Sequence, residues 1–369
     1  MPGLLGRLRL VIPLLAAAVL LTVAVSVNAR LKSRIPIART SSSVAFHMSS
    51  SPLMSAGGLT EKAEDELNHL NGYLAAATLS TGAIVVIDDS RVRLYSNHGS
   101  LVWTTGRRGQ GPGEFSLLGR VCVTRGDTIV VQDIKTLRVT VLTDKGSVVR
   151  SFLPPRMSTL FSQSCFVDGS FLTSATGTSA GMRSVLRVRL DGKLLGVVGS
   201  FRPGDPGVRG AAQTSVAAAG RHFIVANPET NTISVLDTSG RHVRSITTAD
   251  KADTKGLSSA KAGVDVAGRG AAPIMGSLPR GSHWPFFGDV KLSATGEVWV
   301  QRYRRDHEDK EVWYAHRTEG SIEGKVEISV QAASTRPLIM EIDRNSVLVL
   351  TRDNDGAACF SRYRLQKLR

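Results

Sequence analysis

Aromatic residues make up only 5% of the 369 residues, too few for a surface built to stack on sugar rings or bases. Cysteine is scarcer still. Cys122, Cys165 and Cys359 are widely spaced and form no CxxC, which removes the zinc-ribbon, c-type haem and thioredoxin-like readings. The eight histidines form no HxH and no HExxH, so no metal site is legible. There is no GK[ST] after a glycine-rich stretch. No catalytic residue, cofactor or metal is therefore assigned. Carboxylates are few as well, 31 against 46 Lys and Arg, for a net charge of +15. Such an excess bears on partners and solubility rather than on fold.

What is present points to β structure. Hydrophobic residues are 42% of the chain, enough for a sizeable core, and the 36 glycines exceed the usual share of about 7%. That surplus suits a fold with many tight turns. At the N-terminus, Arg7 and Arg9 precede an uncharged run, LVIPLLAAAVLLTVAVSVNA, over residues 10–29. As a helix it would reach about 30 Å, the thickness of a bilayer core. Val27-Asn28-Ala29 is a small-x-small site for a signal peptidase, but the run is longer than the usual h-region of about 7–15 residues. Residues 1–29 therefore read either as a cleaved signal peptide or as a signal anchor in the cytoplasmic membrane. Both place the rest of the chain outside the cytoplasm, in the periplasm or beyond. An oxidising compartment permits one disulfide with one thiol left over. The simpler reading is three buried thiols in strands, because a core of this size needs no staple.

Six short apolar runs share one context: AIVVID, TIVVQD, FLTSAT, FIVANP, VWVQRY and VLVLTRD, aligned at Ile84, Ile129, Phe171, Phe223, Val298 and Val347. Four of the five gaps between these starts match a period of about 40–50 residues, the length of a propeller blade of four antiparallel strands. The second unit is the clearest. RVCVTRG ends at a glycine turn, TIVVQD follows, RVTVLTD alternates apolar and polar residues, and VVRSFL closes the unit after Lys145-Gly146. Alternation marks half-buried antiparallel strands, and the Lys-Gly, Asp-Gly and Ser-Gly pairs supply the positive φ of tight hairpins. The sixth unit has only three strands before the chain ends. An unpaired edge there would be a liability, so residues 43–48 (SVAFHM) are expected to supply the missing outer strand and close the ring. Residues 61–70 (EKAEDELNHL) read as a short helix leading into the first blade. The expected fold is all-β: a six-bladed propeller over 72–369, preceded by a basic linker, closing strand and short helix over 30–71. The Ala-, Gly- and Lys-rich stretch 249–282 forms a long loop between blades four and five.

The sharpest local string is GRRGQGPGEF, comprising Gly106, Arg107, Arg108, Gly109, Gln110, Gly111, Pro112, Gly113, Glu114 and Phe115. With AIVVIDDSRVRLYSNHGSLVWTT before it, it resembles the inter-blade turn of bacterial exported six-bladed β-propeller proteins related to NHL repeats. The resemblance covers roughly residues 75–369 and is strongest in the first two blades. It implies a fold and hardly a function. Physically the string suits a turn: its glycines permit φ > 0, Pro112 fixes one φ, Phe115 packs between blades, and Glu114 pairs with Arg107 or Arg108. A phosphate cradle is the weaker reading, since no helix and no Ser/Thr metal ligand follows.

His222, just before its strand, and His283, in the loop before blade five, are the histidines that a central channel could recruit. Asp353 and Asp355 lie in DNDG, only a fragment of a calcium loop. The basic clusters sit at 30–39, Arg107-Arg108, 302–305 and the C-terminal RYRLQKLR. Export argues against nucleic acid as a target and leaves an unidentified protein or an anionic envelope ligand, with the membrane reached through residues 10–29 if uncleaved. The leading expectation is an exported propeller acting as a binding or scaffold module. The alternative is a channel-centred hydrolase or lyase, lactonase-like or of NHL type.

Overall fold

A computed structural model describes residues 44–57, 74–154, 159–176, 181–202, 214–228, 230–248, 286–303, 310–317, 322–329, 337–352 and 357–368. The chain divides into two units, Met1–Ala38 and Arg39–Arg369, and every described residue belongs to the second. The apolar run 10–29, the expected helix 61–70, the loop 249–282, His283 and the DNDG turn lie outside the described residues. All described elements are strands. Among the described residues no helix is long and apolar enough to cross a membrane.

The chain begins with β1 (Val44–Met48) and β2 (Met54–Gly57). A first antiparallel sheet follows: β3 (Ala75–Thr78), β4 (Ile84–Asp88), β5 (Arg91–Tyr95) and β6 (Leu101–Thr105). Two short paired strands, β7 (Arg107–Arg108) and β8 (Glu114–Phe115), lead to a second sheet of β9 (Leu118–Val123), β10 (Ile129–Asp133), β11 (Val139–Leu142) and β12 (Val148–Phe152). The third run is β13 (Thr159–Cys165), β14 (Ser170–Thr176), β15 (Arg183–Arg189) and β16 (Leu194–Phe201). The fourth is β17 (Ser215–Ala219), β18 (His222–Asn227), β19 (Thr232–Asp237) and β20 (His242–Ile246). A parallel pairing at Gln163 and Ala217 joins β13 to β17, so these two runs form one eight-stranded sheet.

The fifth run is β21 (Phe287–Leu292), β22 (Val298–Arg302), β23 (Lys310–His316) and β24 (Ile322–Ser329). The last is β25 (Leu338–Ile342), β26 (Ser346–Arg352) and β27 (Ala358–Lys367). Between them lies β1, parallel to β24 (Phe46 opposite Val326) and antiparallel to β27 (Phe46 opposite Lys367). Further along β27, β2 pairs antiparallel with it, from Met54 opposite Arg362 to Gly57 opposite Cys359. The N-terminal segment thus occupies the outer edge of the three-stranded last run. The six apolar runs picked out by period are the second strands, β4, β10, β14, β18, β22 and β26.

Second strands such as Ile84–Asp88 and Ile129–Asp133 are buried at every position. They sit inside a sheet that is covered on both faces, so they read as continuous apolar runs rather than alternating ones. Each buried cluster takes side chains from two runs that follow one another. Val85 and Ile87 pack with Val121 and Val131. Val130 packs with Phe171 and Leu186, and Leu172 and Val185 with Val216 and Phe223. Ile224 and Ile233 pack with Val290 and Val298, and Trp299 and Trp313 with Val347 and Val349. Ile84 and Val86 of the first run then pack with Leu348 and Phe360 of the last. Burying a Val, Ile, Leu or Phe is worth about 1.5–3 kcal/mol per side chain. Apolar burial therefore holds neighbouring runs together where few backbone hydrogen bonds cross.

One seam carries a covalent link. Cys122 of β9 and Cys165 of β13 form a disulfide, and Cys359 alone is free and only half-buried. This corrects the reading of three buried thiols in an unstapled fold. The two sulfurs lie 43 residues apart in sequence, and only the docking of the second run on the third brings them together.

Candidate functional site

Each four-stranded run has two ends. One, the hairpin end, carries the turns between first and second and between third and fourth strands. The other, the loop end, carries the loops between second and third strands and the crossings to the next run. Contacts between runs keep these ends apart. At the hairpin end the Ser80 amide reaches Asp127 Oδ1 at 2.7 Å, the Val167 amide reaches the Gly220 carbonyl at 3.0 Å, and Arg344 meets Glu297 at 2.5 Å. At the loop end the Leu118 amide meets the Asp89 carbonyl at 2.5 Å, and the Phe286 amide meets that of Pro228 at 3.0 Å.

The glycine-rich string sits at the loop end, between the first and second sheets. Arg107 lies opposite Glu114, and Arg108 opposite Phe115, in a short parallel ladder. Glu114 Oε2 accepts the amides of Gly111 at 2.9 Å and Gln110 at 3.1 Å, while Oε1 accepts Arg107 Nε at 2.8 Å. The Gly111 amide first, and then Arg107, hold the Glu114 carboxyl below its ordinary pKa. The partner is thus Arg107, and Arg108 is left exposed. A nest of amides that could take a phosphate is occupied by the chain's own carboxylate. Phe115 is buried among Val85, Val92, Val121 and Leu142 of the two sheets. Gly106 has φ +92°, and a Cβ there would come within 2.8 Å of the Phe115 ring. Gly113 has φ +74° and lies beside Val148 of β12, and Pro112 is exposed.

Around the string, Asp133 and Asp88 are engaged, whereas Asp89 Oδ1 is buried without a hydrogen-bond partner. Asp133 accepts the amides of Ser116 at 2.5 Å, Lys135 at 3.0 Å and Thr136 at 2.9 Å. Asp88 pairs with Arg93, and both side chains are buried. The cations are engaged less fully. Arg138 donates to the Gln110 carbonyl at 2.9 Å, an uncharged partner. Exposed Arg91, Arg108 and Lys135 form no ion pair among the described residues. The loop end of the first two sheets thus carries exposed cations that no carboxylate neutralises among the described residues. At the hairpin end of the third and fourth runs several cations sit beside carboxylates: Arg241 on Asp237 at 3.0 Å, Arg189 on Asp191 and Arg187 on Asp168.

Of the two histidines singled out, His222 starts β18 at the hairpin end, paired in register with Asp237 and Ala219. Among the described residues no three His, Cys, Asp or Glu side chains are grouped to hold a metal ion. The histidine that stands out is His316, at the end of β23 and 3% exposed. Burial, with the Arg244 guanidinium nearby, pushes its pKa down to about 4. Nothing in its sequence context marks it, because β20 and β23 meet only in the folded chain. A second missed group joins first and last runs. Glu341 of β25 accepts the Thr78 amide at 3.1 Å and the Thr78 hydroxyl, and Arg362 of β27 donates to Thr78 Oγ1 at 2.8 Å and to the Gly82 carbonyl at 2.5 Å. Desolvation pushes the Glu341 carboxyl up against these bonds.

No protein-family model and no curated protein matches the sequence. Solved structures do match. A Bacteroides fragilis protein bearing the name of an exported protein is 13% identical, with 90% of this chain and 98% of that chain covered and a TM-score of 0.56. The fold is propeller-like. At lower similarity stand a Bacteroides vulgatus protein, 7% identical over 88% of this chain and 99% of that one at a TM-score of 0.47, and virginiamycin B lyase from Staphylococcus aureus. The lyase is 10% identical over 82% of this chain and 98% of its own at a TM-score of 0.43. At such identities the likeness of this propeller-like chain to its neighbours extends to fold alone.

Proposed function

We propose that the chain is an exported six-bladed propeller that serves as a binding module, with an anionic ligand docked on its loop end over Arg91, Arg108, Lys135 and Arg138. The observation that carries this reading is the imbalance at that end: Asp88, Glu114 and Asp133 are held by arginines or amides, and exposed Arg91, Arg108 and Lys135 form no ion pair among the described residues. A surface with unmatched cations attracts and steers anions. Six blades are supported by the chain of apolar clusters, which returns from the last run to the first, and by the Glu341–Thr78–Arg362 clasp across the same seam. Export is supported by the uncharged run 10–29 and by the disulfide, which is at home in an oxidising compartment.

The test uses the purified chain and dextran sulfate as a soluble polyanion, with neutral dextran as control. Binding is expected for the first alone and should weaken steeply with salt. Arg108→Glu with Lys135→Glu should lower the affinity about tenfold, mostly through association rate, while Lys193→Glu at the hairpin end should leave it unchanged. Equal loss from both variants would show the charge of the whole protein at work rather than a site, and the reading would fall.

A further inference from the structure

The four hairpins that close the first four runs share a pattern beyond their glycine. The third residue after each glycine is an exposed aliphatic side chain: Val102 after Gly99, Val149 after Gly146, Leu195 after Gly192 and Val243 after Gly240. Their exposures are 56%, 60%, 47% and 47%. Each lies near the start of an outer strand, β6, β12, β16 or β20, at the hairpin end of its sheet. These four strands are the uncovered ends of their sheets among the described residues, whereas β24 is covered by β1. Single exposed valines need no explanation. Four at one structural position, on four successive runs, do.

We propose that this belt is a membrane-contacting rim: Val102, Val149, Leu195 and Val243 rest in the interfacial layer of a phospholipid bilayer, flanked by the exposed cations Lys145 and Lys193. The inference rests on the ring arrangement given above. Equivalent positions on successive members of a ring lie at one level along its axis, so the four define a plane, and a bilayer is a flat partner over that distance. Lys145 and Lys193 stand in two of these turns, together with Asp144 and Asp191; short aliphatic side chains with ammonium groups nearby suit the headgroup boundary, where apolar groups enter and ammonium groups stay at the surface.

A second observation selects the same end. The described chain starts at Val44, and β1 enters there. Ala45 pairs with Lys325 near the start of β24, and Phe46 with Lys367 at the end of β27, both at the hairpin end. The chain preceding Val44 contains the 20-residue uncharged run 10–29. The belt therefore lies at the end where the chain enters the sheets, and the uncharged run precedes that entry in sequence. The basic loop end faces the opposite way, so membrane contact and ligand capture do not compete.

The test is hydroxyl-radical labelling of side chains in the full chain, alone and with vesicles of phosphatidylglycerol and phosphatidylethanolamine. Leu153 and Leu338 serve as internal references, since both are well exposed, at 65% and 55%, and lie at the loop end. Vesicles are expected to cut labelling of all four belt positions several-fold and to leave Leu153 and Leu338 unchanged. In Val149→Asp with Leu195→Asp, labelling of Val102 and Val243 should recover, with unchanged circular dichroism and unchanged binding to dextran sulfate. Belt positions that label in vesicles as they do without them would overturn the proposal. So would protection that needs no lipid and grows with protein concentration, which would assign the belt to a second copy of the chain. Protection of only one or two of the four would instead sink the ring arrangement.

Discussion

The indole of Trp103 lies over Gly146 across the seam between the first two sheets, and its Nε1–H is donated to the Asp144 carbonyl at 2.9 Å. The same relation recurs along the chain. Gly192 faces the Phe152 ring, Gly240 faces the Val198 backbone, and Gly99 faces the Ser55 carbonyl. Each of these four described hairpins thus presents a glycine to the outer strand of the run before it. In the case of Gly99 that outer strand is β2, which the N-terminal segment contributes.

This relation separates backbone strain from packing. Gly146 and Gly126 both have φ +79°, but a Cβ on Gly126 would meet nothing within 4 Å, while one on Gly146 would lie 2.9 Å from Trp103. Gly126→Ala should cost about 1–2 kcal/mol, the left-handed penalty, and Gly146→Ala about 1–3 kcal/mol more through overpacking. Urea unfolding of the two variants checks this, and equal losses would show that the seam gives way freely.

The Cys122–Cys165 bond should be found by non-reducing peptide mapping, with Cys359 alone open to alkylation. Closing a loop of 43 residues corresponds to roughly 4 kcal/mol in the chain-entropy account. Cys122→Ala with Cys165→Ala should therefore lower the urea midpoint clearly, and dithiothreitol should shift the parent protein but not the variant. Alkylation of all three thiols in unreduced protein would remove the bond from the fold.

His316 sets a pH window. Its folded pKa of about 4 lies below the ordinary 6.5, so the unfolded chain takes up a proton first as pH falls. The stabilising effect of a neutral His316 is complete above about pH 6.5 and fades toward pH 4, by roughly 3 kcal/mol. Over this range most carboxylates remain ionised in both states. Unfolding free energy measured from pH 7 to 4.5 should fall in the parent and fall much less in His316→Gln.

Glu114→Ala should empty the amide pair at Gln110 and Gly111 and release Arg107. The variant should lose stability at neutral pH and regain part of it when sulfate is added, because an anion binding only the folded state raises its stability. The parent should not respond, since its own carboxylate fills the nest. Identical sulfate dependence in both proteins, read by thermal melting, would contradict this.

Glu341→Ala would leave the Thr78 amide and hydroxyl without their acceptor, and Arg362 without its neighbouring carboxylate, across the first-to-last seam. Glu341 keeps some solvent contact, so the loss should fall somewhat below the ~3–5 kcal/mol typical of breaking a fully buried pair. Glu341→Gln, which can still accept from Thr78, should cost less. A loss within about 0.5 kcal/mol for the alanine variant, the size of an ordinary surface change, would mean the clasp does not hold the seam.

The strands, their order and most hairpin glycines were legible in the sequence, because a period of two and a residue that tolerates positive φ are local properties. The string around Gly106 was legible as a turn for the same reason, down to the pairing of Glu114 with one of two neighbouring arginines. Which arginine it takes, the bond between Cys122 and Cys165, the desolvation of His316 against Arg244 and the meeting of Glu341 with Thr78 were decided by tertiary structure. Each depends on residues tens to hundreds of positions apart that touch only once whole sheets have packed. The pairing of charges has the same origin. The sequence set how many cations there are, and only the packing of strands decided which of them meet a carboxylate, as Arg93 meets Asp88 and Arg107 meets Glu114, because such partners are brought together by the turns and sheets.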